Sequence, residues 1–274
     1  MLLSIEGEES TGKTTLAYSG PLPIVGFSFD MGTERALYGA KFDTLFKDLK
    51  IEVVPYVVGS KPEIKWRTND ITVYELPQPI QLTPDALVGF TDQWNYFITL
   101  FGNAVQDQRI RTIVVDTMTL ARRIKADAYL QELQEGNKGK PRKQLLQIEY
   151  GHANDSIRNM YTIMAGMKKN LIAIHHLTDE RKDGIDRDGA VVSMISGNRI
   201  LEGLVQTYRY VDVAIRMSKK DSRLVGTFIK CGYSLDLEGN PVPSPTWDSI
   251  TSQIVGTLGG RIHIDRRNVE VTAK

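Results

Sequence analysis

The chain is nearly devoid of cysteine. Cys231 is the only one among 274 residues, so no intrachain disulfide can form, and the composition suits a reducing cytosol. A buried strand thiol is the expected reading of Cys231. Long apolar runs are also lacking: none approaches the roughly 18 residues of a membrane span. The N-terminal residues lack the charged and apolar regions of a signal peptide. Together these absences predict a cytoplasmic protein with no membrane partner. Nor does one sign of charge prevail. The 34 Lys and Arg residues meet 33 Asp and Glu residues, a formal net charge of +1. No global field draws the chain to nucleic acid, and any such binding must come from local patches.

What is present is an ordinary core-forming composition, 41% hydrophobic and 24% charged. Strand patterns at residues 2–6, 24–29, 51–58, 71–76, 112–115 and 171–174 are interleaved with helix patterns at 13–19, 83–108, 120–135 and 144–169. Within the second of these helices Leu87, Phe90, Trp94, Phe97, Ile98 and Phe101 recur at helical spacing, which reads as core. Residues 178–197 are polar with three glycines and predict a loop long enough to be functional. A short helix over 201–208 and strands at 211–217 and 225–231 follow, and Pro241, Pro243 and Pro245 predict a loop-rich end. The alternation implies an α/β fold with a mainly parallel central sheet, helices on both faces and antiparallel strands on the C-terminal side. One domain is expected: a core over 1–235 and a loop-rich extension of it over 236–274.

The residues Gly7, Glu8, Glu9, Ser10, Thr11, Gly12, Lys13 and Thr14 fit G-x-x-x-x-G-K-[ST] at every fixed position. A strand precedes them and a helix follows, the context in which glycines let backbone amides wrap a phosphate chain and the helix aims its positive end at the same anion. Residues 7–15, Thr15 included, are therefore the expected nucleotide cradle for ATP. Lys13 would reach the β- and γ-phosphates and the Thr14 hydroxyl would ligate Mg²⁺. Glu8 and Glu9 suit an anion site only if their side chains face away.

A Mg²⁺-bound triphosphate needs a carboxylate near that hydroxyl, and Asp116 supplies one at the carboxyl end of the apolar run Ile113, Val114, Val115. Thr117 follows it, not a glutamate, so the group that activates water must come from elsewhere. The end of the second strand offers Asp30 and Glu34; Glu34 is slightly favoured. His175 and His176 end the strand after Lys169 and offer a γ-phosphate sensor, His175 being taken as the catalytic candidate. Adjacent strand residues face opposite sides, so one of the two at most points to the nucleotide.

At this point the residues resemble the RecA-like ATPases. Thr112 through Thr117 look like that family's Walker B strand, where a hydroxyl residue follows the aspartate. Phe29-Asp30 through Glu34 and Leu37 resemble its second strand and catalytic glutamate region, with a small spacing difference. His175-His176 falls where the family carries a polar sensor before a DNA-binding loop. The whole, over about residues 1–235, is similar to compact RecA-core, AAA-family nucleotide-binding proteins of bacteriophages, some of which anneal single strands in recombination. The resemblance implies that residues 178–197 contact single-stranded DNA. It also implies a homo-oligomer, ring or filament, in which Lys230 or Arg216 reaches a neighbouring subunit's nucleotide.

The residues themselves support DNA only in part. Lys138, Lys140, Arg142 and Lys143 form an acid-free basic turn, suited to phosphate contact. In the 178–197 segment Arg181, Lys182 and Arg187, with Arg199 just beyond, meet Asp179, Glu180, Asp183, Asp186 and Asp188, and no aromatic offers a stacking platform. Three readings stay open: a DNA-stimulated oligomeric ATPase of recombination, a P-loop kinase of a small molecule, and a nucleotide-bound binding module with little turnover.

Overall fold

The computed structural model describes residues 1–39, 43–82, 86–136, 142–185 and 191–260. Six consecutive buried residues make β1 (Leu2–Gly7), as a strand covered on both faces requires. In chain order the other strands are β2 (Ile24–Ser28), β3 (Ile51–Pro55), β4 (Ile71–Glu75), β5 (Thr112–Asp116), β6 (Asn170–His175), β7 (Leu177–Ile185), β8 (Val191–Leu201), β9 (Val213–Lys220), β10 (Arg223–Cys231) and β11 (Pro241–Pro243). Nine of them form one sheet in the order β11-β10-β9-β1-β6-β5-β2-β4-β3. From β9 to β3 every neighbour is parallel; β10 and β11 are antiparallel. This is the mainly parallel sheet with antiparallel C-terminal strands that the alternation implied.

Helices cover both faces. These are α1 (Lys13–Tyr18), α2 (Thr33–Tyr38), α3 (Asp43–Phe46), α4 (Phe90–Gln106), α5 (Met118–Gly136), α6 (Tyr150–Gly166) and α7 (Trp247–Thr257). On one face α4, α5 and α6 pack over Val25, Phe27, Val115 and Ala173. The aromatic stripe of α4 is core there: Phe97 meets Phe27 and Phe29 edge-on, with ring centroids 5.0 and 5.2 Å apart. On the other face α1, α2, α3 and α7 pack over Ile24, Val114, Ile172 and Ile174. Gly26 of β2 is what lets α1 lie so close. A Cβ there would collide with the Tyr18 hydroxyl and ring carbons.

Several boundaries differ from the sequence expectation, each for a physical reason. The expected loop at 178–197 is instead a long antiparallel hairpin, β7–β8, forming a sheet of its own. Helix α4 starts at Phe90, behind Gly89 at φ 85°, rather than at 83, and residues 83–85 lie outside those described. Helix α6 is shorter than the 144–169 expected, with Lys168 at φ 52° just past its end. The stretch at 201–208 holds the end of β8 and a 3-10 turn at Val205–Arg209, not an α-helix. After the prolines the chain is not simply loop: β11 extends the sheet, and α7 opens on a Thr246–Ser249 reciprocal cap. Of the basic turn, 137–141 lie outside the described residues, as do Asp186, Arg187 and Asp188 of the hairpin. Arg142 forms a two-pronged pair with Glu149. Cys231 is buried at the end of β10.

Candidate functional site

The residues between β1 and α1 form one wall of a cleft of about 550 Å³ at the carboxyl end of the parallel strands, where ligands bind in such sheets. Its backbone shape depends on two glycines. Gly7 sits at φ 155° with the Met217 carbonyl where a Cβ would go, and Gly12 sits at φ 81° against Leu224, whose Cδ1 would lie 2.7 Å from a Cβ. Lys13 curls back over the loop, its Nζ donating to the carbonyls of Gly7 (2.9 Å) and Glu8 (2.6 Å). Burial lowers its pKa, against the pull of Asp116, Asp30, Glu8 and Glu9. Ser10, Thr11, Gly12, Thr14 and Thr15 also line the cleft, as does Glu9, while the Glu8 carboxylate turns to Arg199 at 3.3 Å.

Behind Thr14 lies Asp116, fully buried at the end of β5. Its Oδ2 accepts the Thr14 hydroxyl at 2.7 Å. Its Oδ1 is buried with no hydrogen-bond partner, an arrangement that costs free energy unless something cationic completes it. Burial, reinforced by Asp30 nearby and opposed by Thr14 and Lys13, holds the Asp116 carboxyl well above the usual carboxylate range.

The two candidate bases separate cleanly. Asp30 and Gly32 line the cleft, and Asp30 Oδ1 accepts the Gly32 amide at 2.9 Å. Glu34 sits on the exposed side of α2, whose buried residues are Thr33 and Leu37, and it does not line the cleft. The slight sequence preference for Glu34 is thus not where the geometry points. Arg35, one residue on, does line the cleft.

The two histidines also divide, and not in favour of His175. His175 is 1% exposed, facing the α6 side with Tyr161 Oη 3.3 Å from its Nε2, while Nδ1 has no partner. His176 enters the cleft, held through its amide by Thr119 Oγ1 at 3.1 Å. Strand parity carries the signal that identifies it. Ile174 packs on the α1 side of the sheet and His176, two residues on, follows it, whereas His175 follows Ala173 to the opposite face.

Burial, with a smaller contribution from His176, drives the His175 pKa down to about 3. An unfolded histidine titrates near pH 6.5, so the unfolded chain binds the proton first. Stability from this site is complete above about pH 6.5 and falls below it by about 1.4 kcal/mol per pH unit until the folded pKa is reached. Urea unfolding at about pH 7.5 and pH 5.5 should therefore show a loss in wild type that His175→Gln lacks, of about 1.4 kcal/mol. An equal acid slope in both proteins contradicts this.

Behind the loop, Glu6 is fully buried and paired with Arg216 Nη2 at 2.6 Å, while Tyr208 donates to its other oxygen. Lys230 donates to the Tyr208 and Val211 carbonyls at 2.6 and 2.7 Å. Both cations expected to reach a neighbour's nucleotide are therefore engaged within the chain. Among the described residues no cluster of three His, Cys, Asp or Glu side chains could hold a metal, and no helix is long and apolar enough to cross a membrane.

A phosphate loop, a buried carboxylate hydrogen-bonded to its hydroxyl and a mainly parallel sheet with antiparallel C-terminal strands are the parts of a P-loop ATPase. The chain belongs to the AAA domain family, whose pattern it matches over residues 2–232. Among solved structures it is similar to the RadB recombinase, at 15% identity and a TM-score of 0.43, covering 88% of this chain and 85% of that one. A KaiC-like protein from the hyperthermophilic archaeon Pyrococcus horikoshii OT3 gives 12% identity and a TM-score of 0.38 over 88% and 84% of the two chains. An ATPase of the type III secretion system of pathogenic bacteria gives 13% and 0.39, over 80% of this chain and 51% of that one. A comparison with curated proteins finds no match.

Proposed function

We propose that this ATPase couples Mg²⁺-dependent ATP hydrolysis to single-stranded DNA bound on the β7–β8 hairpin, as a homo-oligomer that anneals strands in homologous recombination of the bacteriophage type. One observation carries the coupling. The hairpin leaves β6 through His176, which lines the nucleotide cleft, and its returning strand is pinned to the phosphate loop by the Arg199–Glu8 ion pair. A change in loop shape on nucleotide binding thus has a direct route into the hairpin.

Two of the hairpin's acids, Asp179 and Glu180, have cationic partners. Glu180 accepts from Ser196 and Asn198 and pairs with Lys182, and Asp179 pairs with Arg199.

The site residues fit Mg-ATP. The unpartnered Asp116 Oδ1 and the Thr14 hydroxyl beside it are hard oxygen donors that would hold Mg²⁺. The ion, when bound, neutralises charge on the β- and γ-phosphate oxygens. Lys13 exchanges its carbonyl partners for the same phosphates. Asp30 orients the attacking water. As the water oxygen bonds to the γ-phosphorus, the bond from that phosphorus to ADP breaks, and the water's proton passes to the Asp30 carboxylate.

Phosphate release measured with and without single-stranded DNA, beside a Lys13→Ala control, tests the coupling. Several-fold stimulation by single-stranded but not duplex DNA is expected. No stimulation by strands of any length overturns the DNA reading. Phosphate transfer to a nucleoside would indicate a kinase, and retained binding without turnover a binding module.

A further inference from the structure

We infer that Arg35 is a catalytic cation supplied by the chain to its own nucleotide, lying over the γ-phosphate and stabilising the charge that builds there as the phosphoryl group leaves ADP. Arg216, Lys230 and Arg199 do not line the cleft, and they are paired with Glu6, with two backbone carbonyls and with Glu8 and Asp179. Arg35 differs. It lines the cleft, its side chain is exposed, and it makes no hydrogen bond or ion pair among the described residues.

Its position selects the γ end of the triphosphate. Thr14 and Asp116 are the residues that would hold Mg²⁺, whose charge would serve the β- and γ-phosphates. Asp30, just beyond β2, lies near enough to Lys13 and Asp116 for its charge to act on both, and Arg35 stands in the first turn of α2. The two share the space over Gly32. A Cβ at that glycine would be 3.2 Å from Asp30 Oδ1 and 3.7 Å from Arg35 Nη2.

Charge balance argues the same way. The acids at the cleft are Glu9, Asp30 and Asp116, and the permanent cations lining it are Lys13 and Arg35. Lys13 is one charge shared between two phosphates. A γ-phosphoryl group in flight carries charge on three oxygens, which a guanidinium can meet with two parallel donors. Arg35 is poised beside the Asp30 that handles the water, so one short segment, Asp30 to Arg35, delivers both the base and the cation. The step is the hydrolysis written above; Arg35 makes and breaks no bond in it.

Steady-state hydrolysis by the full chain, without DNA, tests the inference separately from any DNA coupling. Arg35→Ala is expected to lower kcat by about 10²-fold to 10³-fold, with KM changed only a few-fold, since the contact strengthens in the transition state. Arg35→Lys, which keeps the charge and loses the fork, should recover part of the loss. Wild type should trap ADP with aluminium fluoride, a mimic of the planar phosphoryl group, and Arg35→Ala should not, while both bind ADP alone equally. Mixing Arg35→Ala with Lys13→Ala should restore no activity, because each subunit then lacks a part of its own site. A kcat within about threefold of wild type overturns the inference; so does an effect on KM alone, retained trapping in Arg35→Ala, or recovered activity in the mixture, which would place the cation in a neighbour's site. Thermal unfolding midpoints that match wild type confirm that the variants are folded.

Discussion

Lys13→Ala abolishes turnover, lowering kcat by about 10³-fold or more while leaving the protein folded. The magnitude follows from removing a charged donor aimed at the phosphates in a partly desolvated cleft, where one such group contributes several kcal/mol to the transition state. Its present partners show why the fold survives. Lys13 Nζ rests on the Gly7 and Glu8 carbonyls, and the loop's shape comes from Gly7 and Gly12 instead. Phosphate-release assays and a thermal melt, run side by side, check both halves. Turnover within tenfold of wild type would show that the loop does not hold the reacting phosphates.

Asp30→Asn costs about 10²-fold to 10⁴-fold in kcat, the range for a positioned base, whereas Glu34→Gln stays within about twofold because an exposed surface group contributes little. The two carboxylates are four residues apart, and only Asp30 borders the cleft. Nucleotide affinity, read by a fluorescent ADP analogue, should barely move in either. The reverse ranking, with Glu34→Gln inactive and Asp30→Asn active, refutes the assignment and returns the base to α2.

These two variants also mark what the sequence could and could not reveal. Lys13, Thr14 and Asp116 were legible because phosphate chemistry demands those residue types at a fixed local spacing, between an apolar strand and a helix. The parallel sheet was legible because strands buried on both faces read as unbroken apolar runs, as at 112–115 and 171–174. The choice between Asp30 and Glu34 was not local: it depends on Thr33 and Leu37 anchoring α2 so that Glu34 turns outward. His176 required knowing which face α1 covers. The β7–β8 hairpin was hidden for a different reason. A two-stranded ribbon standing off the core buries neither face, so its residues show none of the alternation that marks a half-buried strand. Its glycines and charges then read as loop. Helix α7 was masked by three prolines, although Thr246 and Ser249 carried its capping signal.

Glu6 and Arg199 set the mechanical boundaries of the phosphate loop. At the upstream end, Glu6 on the inner strand β1 is fully buried and held by the partly exposed Arg216 and by Tyr208, and stranding that carboxylate costs up to about 3–5 kcal/mol. At Glu8 the restraint is a solvent-exposed ion pair with Arg199, of a kind worth at most about 1 kcal/mol. The loop is therefore a lever with a stiff fulcrum and a soft end. On the proposed coupling, strain from an arriving triphosphate is expected to pass through the weaker joint into the ribbon. Because that joint is screened by salt, the proposed coupling between nucleotide and ribbon is expected to be stronger in dilute buffer than at high ionic strength.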